Sequence, residues 1–223
     1  IIQNILGKHD QGLIETISGA SGGIKFIPAS GRNRAREFLE SMCLEIARKE
    51  RILPGGYLYL LDIIYNPEKV AEIGRIFAGE FYSKNIDYVI TVETKGIPLA
   101  FITARYLNVP LVIVRHYNEA TDGASVNINY VSGSSKRIQT MVLSLKALKR
   151  NSRLLFIDDF MRGGGTAKGI IELAREFECE VAGIGVLIET LEPAKKLVDN
   201  YFALLTLKEV DDQNGIIDIK SNI

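Results

Sequence analysis

What this chain has little of narrows its chemistry first. It holds two cysteines, Cys43 and Cys179, and two histidines, His9 and His116, none at metal-ligand spacing from another. No protein metal cluster is therefore expected, and the thiols read as reduced and packed in apolar faces of a cytoplasmic protein. There is no apolar run of about 18 residues, so no membrane-spanning helix is expected. Gln3, Asn4 and Lys8 interrupt the opening residues, which argues against a secretory signal. Charge of one sign is also lacking: 27 Lys and Arg balance 27 Asp and Glu. No global basic field then points to nucleic acid, although a local basic face on a neutral body is still allowed. Repeats and low-complexity tracts are absent. What remains is 223 residues, 47% hydrophobic and 24% charged, enough for one sizeable domain with or without a small appendage.

The first 28 residues behave differently from the rest. Ile1, Ile2, Ile5 and Leu6 sit at helical spacing, and Gly7 can end that helix. Two short strand-like runs follow, "LIETIS" and "GIKFIP", joined by "GASG", which predicts a β-hairpin. A chain that opens midway through a helix reads as truncated, and helix plus hairpin is how a winged-helix domain ends. Beyond it, Ala35, Phe38, Leu39, Met42 and Ile46 form one stripe of an amphipathic helix. Asn66 and Pro67 open another helix as cap and first helical residue. Then "DYVITVE", "PLVIVRH", "RLLFIDD" and "EVAGIGVLIE" alternate with helical stretches. These strands are continuous apolar runs, as in a parallel sheet covered on both faces. Asn214-Gly215 marks a closing antiparallel hairpin. Residues 117–152 are a polar, glycine-dotted excursion, either a functional lid or a disordered linker.

The stretch "LLFIDDFMRGGGT" concentrates the chemistry. Asp158 and Asp159 close an apolar strand, at the carboxyl edge where open α/β sheets bind ligands. The following glycines lead directly into a helix, so freed backbone N–H groups and the helix N-terminus can hold an anion, with the Thr166 hydroxyl as a further donor. A Walker loop needs Gly-Lys-Ser/Thr in order, and a dinucleotide fingerprint needs its acid about 20 residues after the glycines; neither is present. The lone Gly-x-Gly of "AGIGVL" lies inside a strand and is discounted. Acids and anion cradle are compatible with a ligand of two chemically different ends. A ribose 5-phosphate has them: its vicinal hydroxyls donate to carboxylates and its phosphate accepts from amides.

With these residues in place, the chain resembles the type I phosphoribosyltransferase family, whose signature is apolar residues, two acids, a short spacer and Gly-Gly-Thr. The resemblance implies an α/β fold: a central parallel sheet flanked by helices, with a flexible loop acting as a hood. It implies that Asp158 and Asp159 bind the ribose of phosphoribosyl pyrophosphate (PRPP), and that Arg162, Gly163, Gly164, Gly165 and Thr166 cradle its 5-phosphate. Thr94, Lys95 and Gly96 of "TVETKGIPLA" would form the pyrophosphate loop. The flexible loop would offer Tyr130, Ser132, Ser134, Ser135, Lys136 and Arg137. Mg²⁺ would arrive with the PRPP rather than as a resident cofactor. Tyr57 and Phe160 are either pocket wall or core.

"ILPGGYLYL", "VETKGIPLA", "INYVSGSSKRIQTM" and "VAGIGVLIE" extend the likeness, over essentially the whole chain, to the purine operon repressors of Gram-positive bacteria. That family joins a winged helix to a phosphoribosyltransferase-fold domain, binds DNA as a homodimer and takes PRPP as an inducer. Residues 1–28 would then be the remnant of the winged-helix domain and 29–223 the effector domain. Lys8, Lys25, Arg32, Arg34 and Arg36 would meet operator phosphates. The expectation is a non-catalytic repressor of purine biosynthesis genes, with guanosine polyphosphate or purine nucleotides as further ligands. The alternative is a purine phosphoribosyltransferase, with xanthine as its base. Arg162-Gly163, where catalytic members often carry Ala-Thr, is the departure that favours the regulator.

Overall fold

The computed structural model describes residues 12–19, 22–119, 123–131 and 138–223. The helix expected over Ile1–Leu6, together with Lys8, His9, Ser132, Ser134, Ser135, Lys136 and Arg137, lies outside the described residues.

The expected first hairpin is present. β1 (Leu13–Ile17) and β2 (Gly23–Ile27) pair antiparallel, with Leu13 opposite Ile27 and Ile17 opposite Gly23. Helix α1 (Arg32–Ile46) buries Ala35, Leu39, Met42 and Ile46, the stripe its spacing requires, with Phe38 packed at the margin. A short antiparallel pair follows, β3 (Ile52–Leu53) with β4 (Tyr57–Leu58). Gly55 and Gly56 turn between them at φ +83° and +73°, which side chains with a Cβ rarely adopt. After α2 (Leu61–Ile64) comes α3 (Pro67–Phe81), where the Asn66 side chain accepts from the N–H groups of Glu68 and Lys69.

The chain continues through β5 (Tyr88–Val92), α4 (Ile97–Leu107) and β6 (Leu111–Val114), then a separate two-stranded hairpin, β7 (Ser125–Val131) and β8 (Ile138–Ser144). β9 (Arg153–Met161), α5 (Gly165–Glu176), β10 (Glu180–Thr190), β11 (Phe202–Asp211) and β12 (Ile216–Ser221) follow. The order across the six-stranded sheet is β12-β11-β10-β9-β5-β6, parallel throughout except for β12 against β11. One face carries a core of residues from α1, α3 and α4; the other carries residues from α5 and the β7–β8 hairpin. The Gly-x-Gly of β10 has a packing role. A Cβ at Gly183 would lie 2.8 Å from the Phe81 ring, and one at Gly185 3.0 Å from the Phe77 ring. Both phenylalanines also meet Phe202 edge-on, with centroids 6.4 and 6.1 Å apart.

Two expectations need correction. β9 does not stop at the acids, because β10 continues alongside and pairs Asp158 with Val186 and Met161 with Glu189. On its other side β5 leaves β9 at Phe156, so the acids emerge beside an open edge. The polar excursion is not a linker: β7 and β8 run antiparallel from Ser125–Ser144 to Val131–Ile138. Tyr130, Met141, Val142 and Leu143 are buried in that hairpin while Asn127 and Asn129 face out. Cys43 and Cys179 are half-buried and free, and burial, with Glu40 nearby, pushes the Cys43 thiol up to about 11. Among the described residues no helix is long and apolar enough to cross a membrane.

Phe77 is fully buried and spans the contact between α3 and the sheet. Phe77→Ala is expected to lower the unfolding free energy by about 3–5 kcal/mol. Urea denaturation checks this, as a lower midpoint with an unchanged slope; a loss under about 1 kcal/mol would mean that the face is loosely packed.

Candidate functional site

A cavity of about 750 Å³ opens at the carboxyl ends of the parallel strands. β9 brings Asp158, Asp159 and Phe160 to it, and the loop after β9 brings Arg162 to Thr166. The loop after β5 contributes Thr94 and Lys95, and the β3–β4 turn contributes Tyr57. Residues more than 100 positions apart in the chain thus meet in one hollow. Gly96 lies just beneath: a Cβ there would sit 2.4 Å from Thr91 Oγ1 and 3.1 Å from Asp158 Oδ1. Only glycine lets the Thr94–Gly96 loop settle onto the acids.

Burial, and then the neighbouring Asp159 charge, pushes the Asp158 carboxyl well above the ordinary carboxylate range. Asp159 is also raised by burial, opposed by its hydrogen bond with Asp158 and by the Lys95 ammonium. The Asp159 N–H donates to Asp158 Oδ1 at 2.9 Å. Two enclosed, adjacent carboxyls resist double ionisation, so the pair favours ligands that bring hydroxyl donors and positive charge.

The glycine loop is shaped by its neighbours. Gly164 is left-handed, at φ +78°, and a Cβ on it would meet Val198 Cγ2 at 3.2 Å and the Leu197 nitrogen at 3.3 Å. The Leu197 N–H donates to the Gly163 carbonyl at 2.9 Å, pinning the loop from the far side. Helix α5 then starts without a side-chain cap, so its first N–H groups and its partial positive charge serve the cavity. Arg162 stands exposed at the rim. The Tyr130 hydroxyl donates to Gln139 Oε1 at 2.7 Å and also contacts the Thr166 hydroxyl, which ties β7 and β8 to the cradle.

Tyr57 is 65% exposed and lines the cavity, which removes the core alternative. Phe160 lines the cavity while packing on the core, so both alternatives hold for it. Sequence reasoning missed Glu93 and His116. Glu93 Oε1 accepts from the His116 N–H at 2.7 Å, and His116 Nδ1 lies 3.0 Å from the Thr140 carbonyl, to which it donates. The available signal was position, since Glu93 directly follows β5 and His116 lies two residues after the end of β6, both on this edge. Lys208 and Glu209, on β11, also line the cavity and had no local motif. Among the candidate DNA contacts, Lys25, Arg32 and Arg36 are exposed. Arg34 is exposed as well, and it also forks onto Glu72, at 3.0 and 2.9 Å. Among the described residues no three His, Cys, Asp or Glu side chains gather as a metal site. A Mg²⁺ carried by phosphates needs only one or two carboxylates, and Asp158, Asp159 and Glu93 offer them.

Comparison with known proteins agrees with this geometry. Residues 61–222 match the phosphoribosyl transferase domain, and residues 1–28 match the N-terminal domain of the bacterial purine repressor. The chain is 48% identical to the purine biosynthesis transcriptional repressor PurR of Bacillus subtilis, across 99% of this chain and 78% of that protein. It is 40% identical to the purine biosynthesis transcriptional activator PurR of Lactococcus lactis, across 98% and 81%. In fold it is similar to the adenine phosphoribosyltransferase of Rhodothermus marinus, with a TM-score of 0.65 at 22% identity, covering 77% of this chain and 99% of that one.

The acid pair sets a pH dependence. The folded pKa of Asp158 lies above the unfolded value of about 3.9, so below both values the group has no effect on stability. As pH rises through that window the unfolded chain ionises first, and stability falls. Asp158→Asn should therefore raise the ligand-free melting temperature at neutral pH, with the gain vanishing near pH 4. Thermal scans across this range decide it; an Asn variant less stable at neutral pH would contradict the electrostatic assignment.

Proposed function

Because the chain belongs to the PurR family of purine biosynthesis transcription regulators, with a phosphoribosyltransferase-type domain, we propose that its cavity binds PRPP as an effector that weakens operator binding. The observation that carries this reading is the joining of an acid pair and a glycine amide cradle in one cavity with Lys95. The ribose hydroxyls donate to Asp158 and Asp159. The 5-phosphate accepts from the amides of Gly163 to Thr166 and from the Thr166 hydroxyl, with Arg162 at the rim. The pyrophosphate lies along Thr94–Gly96, where Lys95 offsets its charge, and Tyr57 and Phe160 flank the remaining end. Bound Mg²⁺ supplies further charge neutralisation, held by the ligand's oxygens and by these carboxylates. Guanosine polyphosphate, which also presents adjacent phosphates, competes for the same cradle.

Residues 1–28 belong on this reading to the DNA-binding domain and 29–223 to the effector domain, in a cytoplasmic homodimer. Exposed Lys25, Arg32, Arg34 and Arg36, together with Lys8, meet operator phosphates, so affinity falls with salt. The names of the relatives include both a repressor and an activator, so coupling of ligand to DNA is separate from the sign of the transcriptional response. Repression is the reading favoured here by the higher identity to the repressor.

The second reading, a purine phosphoribosyltransferase, draws on the matched domain. Against it stand the regulator relatives and the Arg162-Gly163 dipeptide. Incubation with PRPP, Mg²⁺ and xanthine or another purine should yield no nucleotide; robust turnover would reverse the choice.

Calorimetric titration of Mg²⁺·PRPP into the parent and Asp159→Asn tests the site. Losing one hydrogen bond to a charged group, about 1.5–3 kcal/mol, predicts an affinity lower by roughly 10- to 150-fold. In the full-length protein, saturating operator DNA should weaken PRPP by the same factor by which PRPP weakens DNA. A PRPP affinity indifferent to operator DNA would sink the effector reading.

A further inference from the structure

The segment leaving the first hairpin is fastened to one face of α3. Ile27 and Ala29 are buried, and a Cβ at Gly79 would lie 3.1 Å from the Ala29 Cβ, so the segment rests on the helix itself. About two helical turns toward the start of α3, Ser30 Oγ donates to Glu72 Oε1 at 2.5 Å and Arg34 forks onto both Glu72 oxygens. Glu72 and Gly79 are seven residues apart, within about 20° of each other around the helix.

The opposite side of α3 faces the ligand loop's own helix. Gly74, about 200° around from Glu72, is where a Cβ would come within 2.5 Å of Ile102 Cγ2 on α4. Helix α4 begins at Ile97, directly after the Thr94–Gly96 loop, and Gly96 rests against Asp158. Arg75 closes the circuit: its NH1 donates to Glu72 Oε2 at 2.9 Å, and its guanidinium lies 5.4 Å from the centre of the Tyr106 ring on α4.

Glu72 is thus a buried carboxylate, 5% exposed, that accepts four hydrogen bonds from three residues on the hairpin exit, α1 and α3. A carboxylate has about four acceptor sites, so this one has none to spare. Burial works to raise it, and Ser30, Arg34 and Arg75 outweigh that and hold it below the usual range, keeping it charged at neutral pH. A buried charge with every site engaged resists small, graded adjustment: the cluster holds or it breaks.

We propose that α3 is the lever between the cavity and the DNA-binding region, moved by α4 through Gly74 and Ile102 and latched to the hairpin exit by Glu72. Ligand settling on the Thr94–Gly96 loop displaces the start of α4. The tight α3–α4 contact passes that displacement on, and the Glu72 cluster delivers it to Ser30 and Arg34, two and six residues beyond Pro28. This assignment rests on the effector reading above for its ligand, but not for its mechanical link.

The test uses the full-length protein, with operator affinity measured with and without Mg²⁺·PRPP. Glu72→Gln and Ser30→Ala keep the packing and remove part of the latch. Both should still fold, with lowered urea midpoints, and bind PRPP within about twofold of the parent, yet their PRPP-induced change in operator affinity should shrink about threefold or more. Purely structural anchoring would shift stability or basal DNA affinity without changing that ratio. An unchanged ratio in both folded variants overturns the lever. A parent whose operator affinity ignores PRPP would refute the effector reading instead, and the ligand-free arm then decides α3 alone. Gly74→Ala, which presses α3 away from α4, should change operator affinity about threefold or more with no ligand present. An unchanged affinity in that variant overturns the lever.

Discussion

The structure depends on an inequality between two neighbours of one strand. β10 accompanies β9 through Met161, while β5 parts from it at Phe156. β9 therefore carries its acids past the end of the sheet on one side while staying paired on the other. The hollow, the fall of the Thr94–Gly96 loop over Asp158 and the entry of α5 all follow from that mismatch. Glycine occurs where these pieces touch: Gly96 over Asp158, Gly164 under Leu197 and Val198, Gly183 and Gly185 under the α3 phenylalanines.

Enclosing two adjacent carboxyls is costly, and this fold places them where their cost can be relieved from outside. Alone, the pair is pushed toward protonation; a ligand that brings hydroxyls and its own metal lets it ionise. The same cavity has an amide cradle and Lys95, so its two halves suit the two ends of one bipolar ligand. This arrangement fits a sensor as well as a catalyst, because binding energy can be directed to a conformational equilibrium as readily as to a transition state. The Glu72 cluster, with one side on the hairpin exit and the other toward α4, is where such an equilibrium has a mechanical route to DNA.

Much of this was legible in residue order. The α1 stripe, the Asn66 cap, the continuous apolar strands and the Asn214-Gly215 hairpin are local patterns, and each element formed within a few residues of its expected place. "IDDFMRGGGT" is local too, since strand, acids and cradle are consecutive. The β7–β8 hairpin was missed as paired structure because polar residues interrupt both strands, Asn127 and Asn129 in β7 and Gln139 and Thr140 in β8, and its partner strand decides whether such a pattern is sheet. His116 and Glu93 were missed because neither carries a motif; each matters only through the other. Arg34, read as a cation for phosphate, also engages Glu72, 38 residues away, a partner no local pattern announces.

Sequence by itself determined the fold class, the strand-loop-helix that carries the acids and glycines, and the family, because periodicity and motif spacing are properties of contiguous residues. Tertiary structure decided which distant groups share the cavity, why Gly96 must be glycine, and that α3 touches the hairpin exit on one face and α4 on the other. Those facts depend on how far each strand runs beside its neighbour and how closely two helices approach. Both are set by packing across the whole domain rather than by any local preference.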